Sequence, residues 1–164
     1  METIYLGIGG NLGNRLENIN SAINHITKDI VRPDKISSIY LSEPWGFEHA
    51  KYFTNAVIAL KTDMLAKDIL QIVLNIENKM KRIRTSSGYQ GRTMDIDILY
   101  YGNKVIKTQN LEIPHPKIED RLFVLLPIKE ISPNFCSPIS GKHINNLIIE
   151  CKDKSKIKKL HYGS

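Results

Sequence analysis

Cysteine is scarce in this chain. Cys136 and Cys151 are the only two among 164 residues and no CxxC pair is present, so neither a disulfide framework nor a thiolate zinc site is indicated. Long apolar runs are missing too: hydrophobic residues make up 41%, but no stretch approaches the ~20 residues of a membrane span. The opening METIYLGIGG lacks the basic-then-apolar order of a signal peptide, and a cytoplasmic location is expected. Glycines stand at 7, 9, 10 and 13, but no Gly-Lys-Ser/Thr follows and Leu12 occupies a position where a dinucleotide fingerprint needs glycine. A Walker loop and a Rossmann loop are thereby set aside, and GIGGNLG reads as a tight strand-to-helix turn. Without repeats, low-complexity segments or linkers, residues 1–164 are expected to form a single domain with enough length to bury a core.

Positive charge is what the chain has in excess. The formal net charge is +6, and its placement carries more information than its sum. One basic cluster, Lys152, Lys154, Lys156, Lys158 and Lys159 around Asp153, reads as a solvated helix end or a loose Lys-rich tail from about residue 152. The other runs from Lys79 through Lys81, Arg82 and Arg84 to Arg92 with no acid between 79 and 92.

Periodicity supplies the elements. Residues 3–9 read as a strand, followed by a helix from about Asn14 with Leu16, Ile19, Ile23 and Ile26 near helical spacing and Asn14/Glu17 as a capping box. Strands are expected at 35–42 and at FTNAVIALK, and a helix at 65–81 with Ile69, Ile72, Val73, Ile76 and Met80 on one stripe. In MDIDILYY, Ile96, Ile98 and Tyr100 alternate with Asp95, Asp97 and Leu99, as on a strand. The order predicts an α+β fold with a ferredoxin-like βαββαβ core, two helices over an antiparallel sheet. Beyond it, GNKVI should return as a hairpin partner, Pro114-His115-Pro116 should end a loop, and helices should follow near 117–130 and 143–151.

Asp95 and Asp97 pose the chemical question. On a strand they share a face ~7 Å apart, which suits either a solvated strand edge or a cation site. Aspartate is disfavoured in strands, and two like charges on one face call for a cation between them. Mg²⁺ takes one or two carboxylates together with substrate phosphates, and paired metals clamp a phosphoryl group from both sides. The preceding arginines suit phosphate oxygens, so the segment from Arg82 to Asp97 points to a nucleoside triphosphate. The Ser-Ser-Gly loop between Arg84 and Arg92 could close over a substrate. Phe53 and Asn55 share a face of their strand. Asn55 offers both halves of an amide to a heterocycle edge, and Phe53, Trp45 or Phe123 could stack on a flat ring or serve as core. His115, held between two prolines, is not catalytic on this pattern alone.

Taken in order, GIGGNLGNR, EPWG, FTNAV, KRIR, GRTMDIDIL, IPHP and RLFVLLPI resemble the 6-hydroxymethyl-7,8-dihydropterin pyrophosphokinases of folate synthesis over nearly the whole chain. The R-x-x-D-x-D core of Arg92, Asp95 and Asp97 is the most specific part. The resemblance implies transfer of diphosphate from ATP, the co-substrate, to the pterin hydroxymethyl group with release of AMP. It implies that Asp95 and Asp97 hold two Mg²⁺ ions and that Arg82 and Arg92 assist transfer. Glu77, Arg84, Tyr89, Ile98, His115 and Arg121 would contact the nucleotide. The pterin would lie between Phe53 and Phe123, with Asn55 on its edge and Ser42, Pro44, Trp45 and Gly46 lining the pocket. The partners implied are these small molecules, with no nucleic acid or membrane, and a functional link or fusion to dihydropteroate synthase.

The chain departs from the family pattern at three places. Tyr89-Gln90-Gly91 precedes Arg92 where the family often has Trp-Gly-Pro, Pro116 replaces a tyrosine, and Asn110 an arginine. Glycine frees a backbone that proline would fix, so the approach to Arg92 is expected to be looser. Two other classes share parts of the pattern. Another two-metal enzyme on this fold, a nucleotide cyclase or nuclease, would use the aspartates but leave Asn55 and its aromatic neighbours without a role. An RNA-binding module shares the element order and basic charge, but its aromatic sheet signature is missing.

Overall fold

Ile4, Leu6 and Ile8 alternate with Tyr5, Gly7 and Gly9, so the first strand carries one bulky face and one nearly bare one. In the computed structural model, which describes residues 1–10, 14–42, 53–82 and 94–160 (81 and 82 by backbone alone), this is β1, Glu2–Gly10. It lies between β4 (Phe53–Thr62) and β5 (Asp95–Tyr101), antiparallel to both. β3 (Ile39–Ser42) pairs with the far side of β4, and β8 (Ile157–Leu160) pairs with β3. The order is therefore β5-β1-β4-β3-β8, with the short β2 (Lys35–Ile36) also on β4. This is the expected ferredoxin-like α+β core.

Two helices cover one face. Asn14 caps α1 (Arg15–Asp29) by accepting from the Glu17 amide at 3.1 Å, which satisfies one of the donors left over at a helix start. Ile19, Ala22 and Ile26 of α1 and Ile69, Val73, Ile76 and Met80 of α2 (Ala66–Arg82) pack on Ile4, Leu6, Ile8, Ile58, Ile96 and Ile98. Leu16, expected in the α1 stripe, is exposed. The opposite face is also covered, by α3 (Leu122–Ile131) and α4 (Ile144–Glu150), over Val57, Ala59, Leu99 and Tyr100. Burial on both sides explains why β4 reads as a nearly continuous apolar run.

Several local details differ from the sequence expectation. The strand expected at 35–42 is broken after Ile36 because its register against β4 slips by one residue, from Ile36↔Ile58 to Tyr40↔Asn55. Ser37 bridges the slip: its amide donates to Val57 O and its hydroxyl accepts from Val57 N, both at 2.9 Å. A bulge in β5 has a larger effect. Tyr5 faces Tyr100 but Leu6 faces Ile98, leaving Leu99 as the extra residue. Tyr100 therefore joins Leu99 under α3, against Tyr5 and Phe135, instead of following Ile96 and Ile98.

The hairpin partner expected for β5 is instead β6 (Ile106–Lys107), which pairs with β7 (Glu112–Ile113) in a separate two-stranded sheet. The helix expected from 117 begins as a 3₁₀ turn, Ile118–Asp120, and becomes α-helical only at Leu122. The Lys-rich segment is not a loose tail throughout: Ile157–Leu160 is the edge strand β8. Lysines on an edge strand discourage pairing with another chain.

Candidate functional site

The bare face of β1 sets the site. Asp97 stands opposite Gly7 and Asp95 opposite Gly9 in the β1–β5 ladder, while Val57 and Asn55 stand opposite the same glycines across β4. Residues directly opposite share a face, so both carboxylates and the Asn55 amide look onto a glycine floor. The closeness is steric. A methyl group at Gly9 would collide with Asn55 Oδ1, and one at Gly7 would come within 3.2 Å of Leu99 Cδ1. Gly7 and Gly9 lie in the strand, as the reading of residues 3–9 expects, and they also belong to the site.

Above this floor lies a cavity of about 280 Å³ walled by Phe53, Asn55, Phe123 and Arg121. The Arg121 guanidinium carbon sits 5.7 Å from the Phe123 ring centre, within cation–π range. A second cavity of about 430 Å³ opens between α2 and the β7 region, lined by Leu70, Leu74, Glu77, Ile98, Leu111 and His115. Asp95 and Asp97 border both cavities. Among the described residues β5 is the edge of the sheet, so its carboxylates can serve as the wall between a space on the sheet face and one beyond its edge.

Supporting contacts fix this wall. The Glu77 carboxylate accepts from the Ile96 amide at 2.7 Å, satisfying an edge-strand donor between the two aspartates. His115 donates its amide to Leu99 O at 3.2 Å, tying its loop to the bulge in β5. Its Nδ1 accepts from Lys117 N at 3.3 Å, which leaves Nε2–H as the donor of a neutral ring. Burial, followed by the Arg121 charge, lowers the His115 pKa, against the pull of Asp97.

Among the expected site residues, Asp95, Asp97, Phe53, Asn55 and Phe123 meet at the first cavity, and Glu77, Ile98 and His115 at the second. Arg121, expected on the nucleotide side, lines the first cavity, although its charge reaches His115. Ser42 is buried opposite Phe53 in the β3–β4 ladder. Pro44, Trp45, Gly46, Arg84, Tyr89 and Arg92, and the side chain of Arg82, lie outside the described residues. Sequence reasoning missed Gly7 and Gly9 as site residues and Leu70, Leu74 and Leu111 as cavity lining. The period of two between Gly7 and Gly9, matching that of the aspartates, was the available signal.

The donor set suits a hard cation. No cluster of three or more His, Cys, Asp or Glu that could hold a metal occurs among the described residues. Two carboxylates beside open space suit Mg²⁺, which keeps waters and takes substrate phosphates, better than a closed all-protein cage.

The sequence model of the family described as "7,8-dihydro-6-hydroxymethylpterin-pyrophosphokinase (HPPK)" matches residues 5–133. The chain belongs to this family. An HPPK relative from Aquifex aeolicus, named 2-amino-4-hydroxy-6-hydroxymethyldihydropteridine pyrophosphokinase, is 39% identical over 87% of this chain and 88% of its own. One of the same name from Porphyromonas gingivalis is 37% identical over 81% and 92%. The crystal structure titled Plasmodium falciparum HPPK-DHPS wild type superimposes with a TM-score of 0.72 at 15% identity, covering 90% of this chain and 44% of that one. At that identity it supports the HPPK fold alone.

Proposed function

We propose that the protein transfers the terminal diphosphate of ATP to the hydroxymethyl group of 6-hydroxymethyl-7,8-dihydropterin, releasing AMP, as a step of folate biosynthesis. Beyond family membership, one observation carries the reading: Asp95 and Asp97 form the wall common to two cavities. A flat, amide-edged bicycle belongs in the smaller one, over Gly7 and Gly9, between Phe53 and Phe123 and against Asn55. The nucleoside belongs in the larger, among Leu70, Leu111 and Ile98, with His115 Nε2–H directed to polar groups of the nucleotide. The triphosphate then passes the aspartates, within reach of the Arg121 charge.

The hydroxymethyl oxygen attacks the β-phosphorus and forms the new P–O bond. The bond from the β-phosphorus to the oxygen bridging it to the α-phosphorus breaks, that oxygen leaves with AMP, and the hydroxyl proton is released. Asp95, Asp97 and Arg121 are the titratable side chains lining the first cavity among the described residues. We assign Asp95 and Asp97 as the residues that would hold two Mg²⁺ ions, whose charge would offset that of the phosphates and favour loss of the hydroxyl proton. Arg82 and Arg92 are assigned to transfer, and Arg84 and Tyr89 to nucleotide binding. Pro44, Trp45 and Gly46, with Ser42, complete the pterin pocket in this reading. The domain is taken as residues 1–164 and its location as cytoplasmic. Among the described residues no helix is long and apolar enough to cross a membrane.

Incubation with ATP, Mg²⁺ and the hydroxymethyl pterin should yield AMP and the pterin diphosphate; ADP or cyclic AMP would overturn the reading. Asp97→Ala should lower turnover by roughly a hundredfold or more, through loss of charge stabilisation at the transferring group. Retention of most activity would remove Asp97 from that role.

A further inference from the structure

The outer wall of the smaller cavity hangs on the start of one helix. Arg121 is the N-cap residue of α3 and Phe123 lies in its first turn, yet Arg121 makes no side-chain capping hydrogen bond. The first amides of a helix have no partner within it. Here the Leu122 amide donates to Asp153 Oδ2 at 3.2 Å, a residue 31 positions further along the chain. The other oxygen, Asp153 Oδ1, accepts from the Ser155 amide at 2.9 Å and from the Ser155 hydroxyl. The carboxylate is therefore held on its own turn while it caps a helix from outside. Its negative charge also suits the positive end of the α3 dipole. Arg121, Phe123 and Asp153 border one groove of about 590 Å³ on the outer side of this wall.

The same terminal segment reaches the opposite wall. β8 pairs with β3, matching Ile157 with Ser42 and Lys159 with Tyr40, and these two residues stand opposite Phe53 and Asn55 across the next ladder. Residues 153–160 lie beyond the 5–133 span that the family sequence model matches.

We propose that Asp153 is a positioning residue for the pterin cavity, acting through the Leu122 amide to fix Phe123 and Arg121 opposite Phe53 and Asn55. The identity of the ligand rests on the function proposed above; the positioning rests on the contacts of Asp153. Losing the cap frees the first turn of α3, so the flat ring loses one of its walls, while the nucleotide cavity, bounded by α2 and the His115 loop, keeps its shape.

The test compares the full-length protein with Asp153→Ala, Asp153→Asn and Ile26→Val, the last a core trim under the opposite face of the sheet. Asp153→Ala should raise the pterin KM and Kd by roughly tenfold, the scale of one charge-assisted hydrogen bond, with the ATP KM, which Arg121 touches only through its charge, moved much less. Asp153→Asn keeps one acceptor and should fall between Asp153→Ala and the wild type, and it carries the test should the alanine variant not fold. Ile26→Val should lower Tm without separating the two KM values. Amide exchange at Leu122 and Phe123 should quicken in Asp153→Ala, which reports the cap whatever the ligand. Faster exchange with an unmoved pterin KM would overturn the proposal, as would parallel rises in both KM values or the same split in Ile26→Val. A wild type that bound no pterin would instead sink the functional reading.

Discussion

Gly9 lies across the ladder from Asn55, and the space its missing side chain leaves is occupied by the Asn55 amide. Gly9→Ala should push that amide off the floor of the cavity, because the backbone of a central strand does not yield easily and the Asn55 side chain must give way instead. A rise of about tenfold or more in pterin KM is expected, on the scale of ~1–3 kcal/mol for overpacking, with the ATP KM much less affected. Steady-state kinetics with each substrate varied would show it, and equal changes in both would contradict the role given to Gly9. The aspartates opposite belong to the same steric arrangement: Gly7 and Gly9 put no side chain of β1 beside either carboxylate.

At the scale of elements, an edge strand has become the centre of the site. Among the described residues β5 has one outer flank without a strand partner, and Glu77 of α2 holds its Ile96 amide from that side. Glu77 therefore does more than border the nucleotide cavity, since it braces the backbone between Asp95 and Asp97. Glu77→Ala should raise the Mg²⁺ concentration needed for half-maximal rate by roughly tenfold, the usual size of effect for a group that orients a metal ligand. Glu77→Gln retains an acceptor for the Ile96 amide and should recover much of the loss. A Mg²⁺ titration of both variants separates this role from a purely nucleotide-contacting one, which would move ATP KM at every Mg²⁺ concentration.

Across the whole molecule, α3 is tied at both ends to distant segments. Asp153 holds its start, and Glu130 near its end accepts from the Ser38 amide (2.8 Å), the Ser38 hydroxyl (2.6 Å) and Tyr40 (3.0 Å), with Lys159 at 3.2 Å. Burial works to raise the Glu130 pKa, but the Ser38, Lys159 and Tyr40 contacts outweigh it and hold the carboxyl below its ordinary 4.5. A carboxyl with a depressed folded-state pKa stabilises the fold above its unfolded value and loses that contribution as pH falls through the folded one. Glu130→Gln should therefore be less stable than the wild type at pH 7, with the gap closing as pH drops below about 4.5. Urea midpoints at pH 7 and at the lowest pH where both variants fold would test the sign; a gap that widened in acid would refute it. Asp153, also depressed, adds an acid dependence of the same sign.

The residue pattern alone carried much of this protein. The βαββαβ order, the α2 stripe, the Asn14 cap and the shared face of Asp95 and Asp97 all follow from local periods and short-range hydrogen bonds, which are written in neighbouring residues. The same period of two placed Phe53 beside Asn55. Contacts between distant segments had no such signature. The β5 bulge that turns Tyr100 under α3, the slip after Ile36 absorbed by Ser37, and the pairing of β8 with β3 depend on registers set only when strands meet. So does the meaning of Gly7 and Gly9: the sequence placed them in and at the end of a strand, and only their position opposite two carboxylates and an amide made them a floor. A period fixes which face a residue takes, whereas a partner across the sheet decides what that face meets.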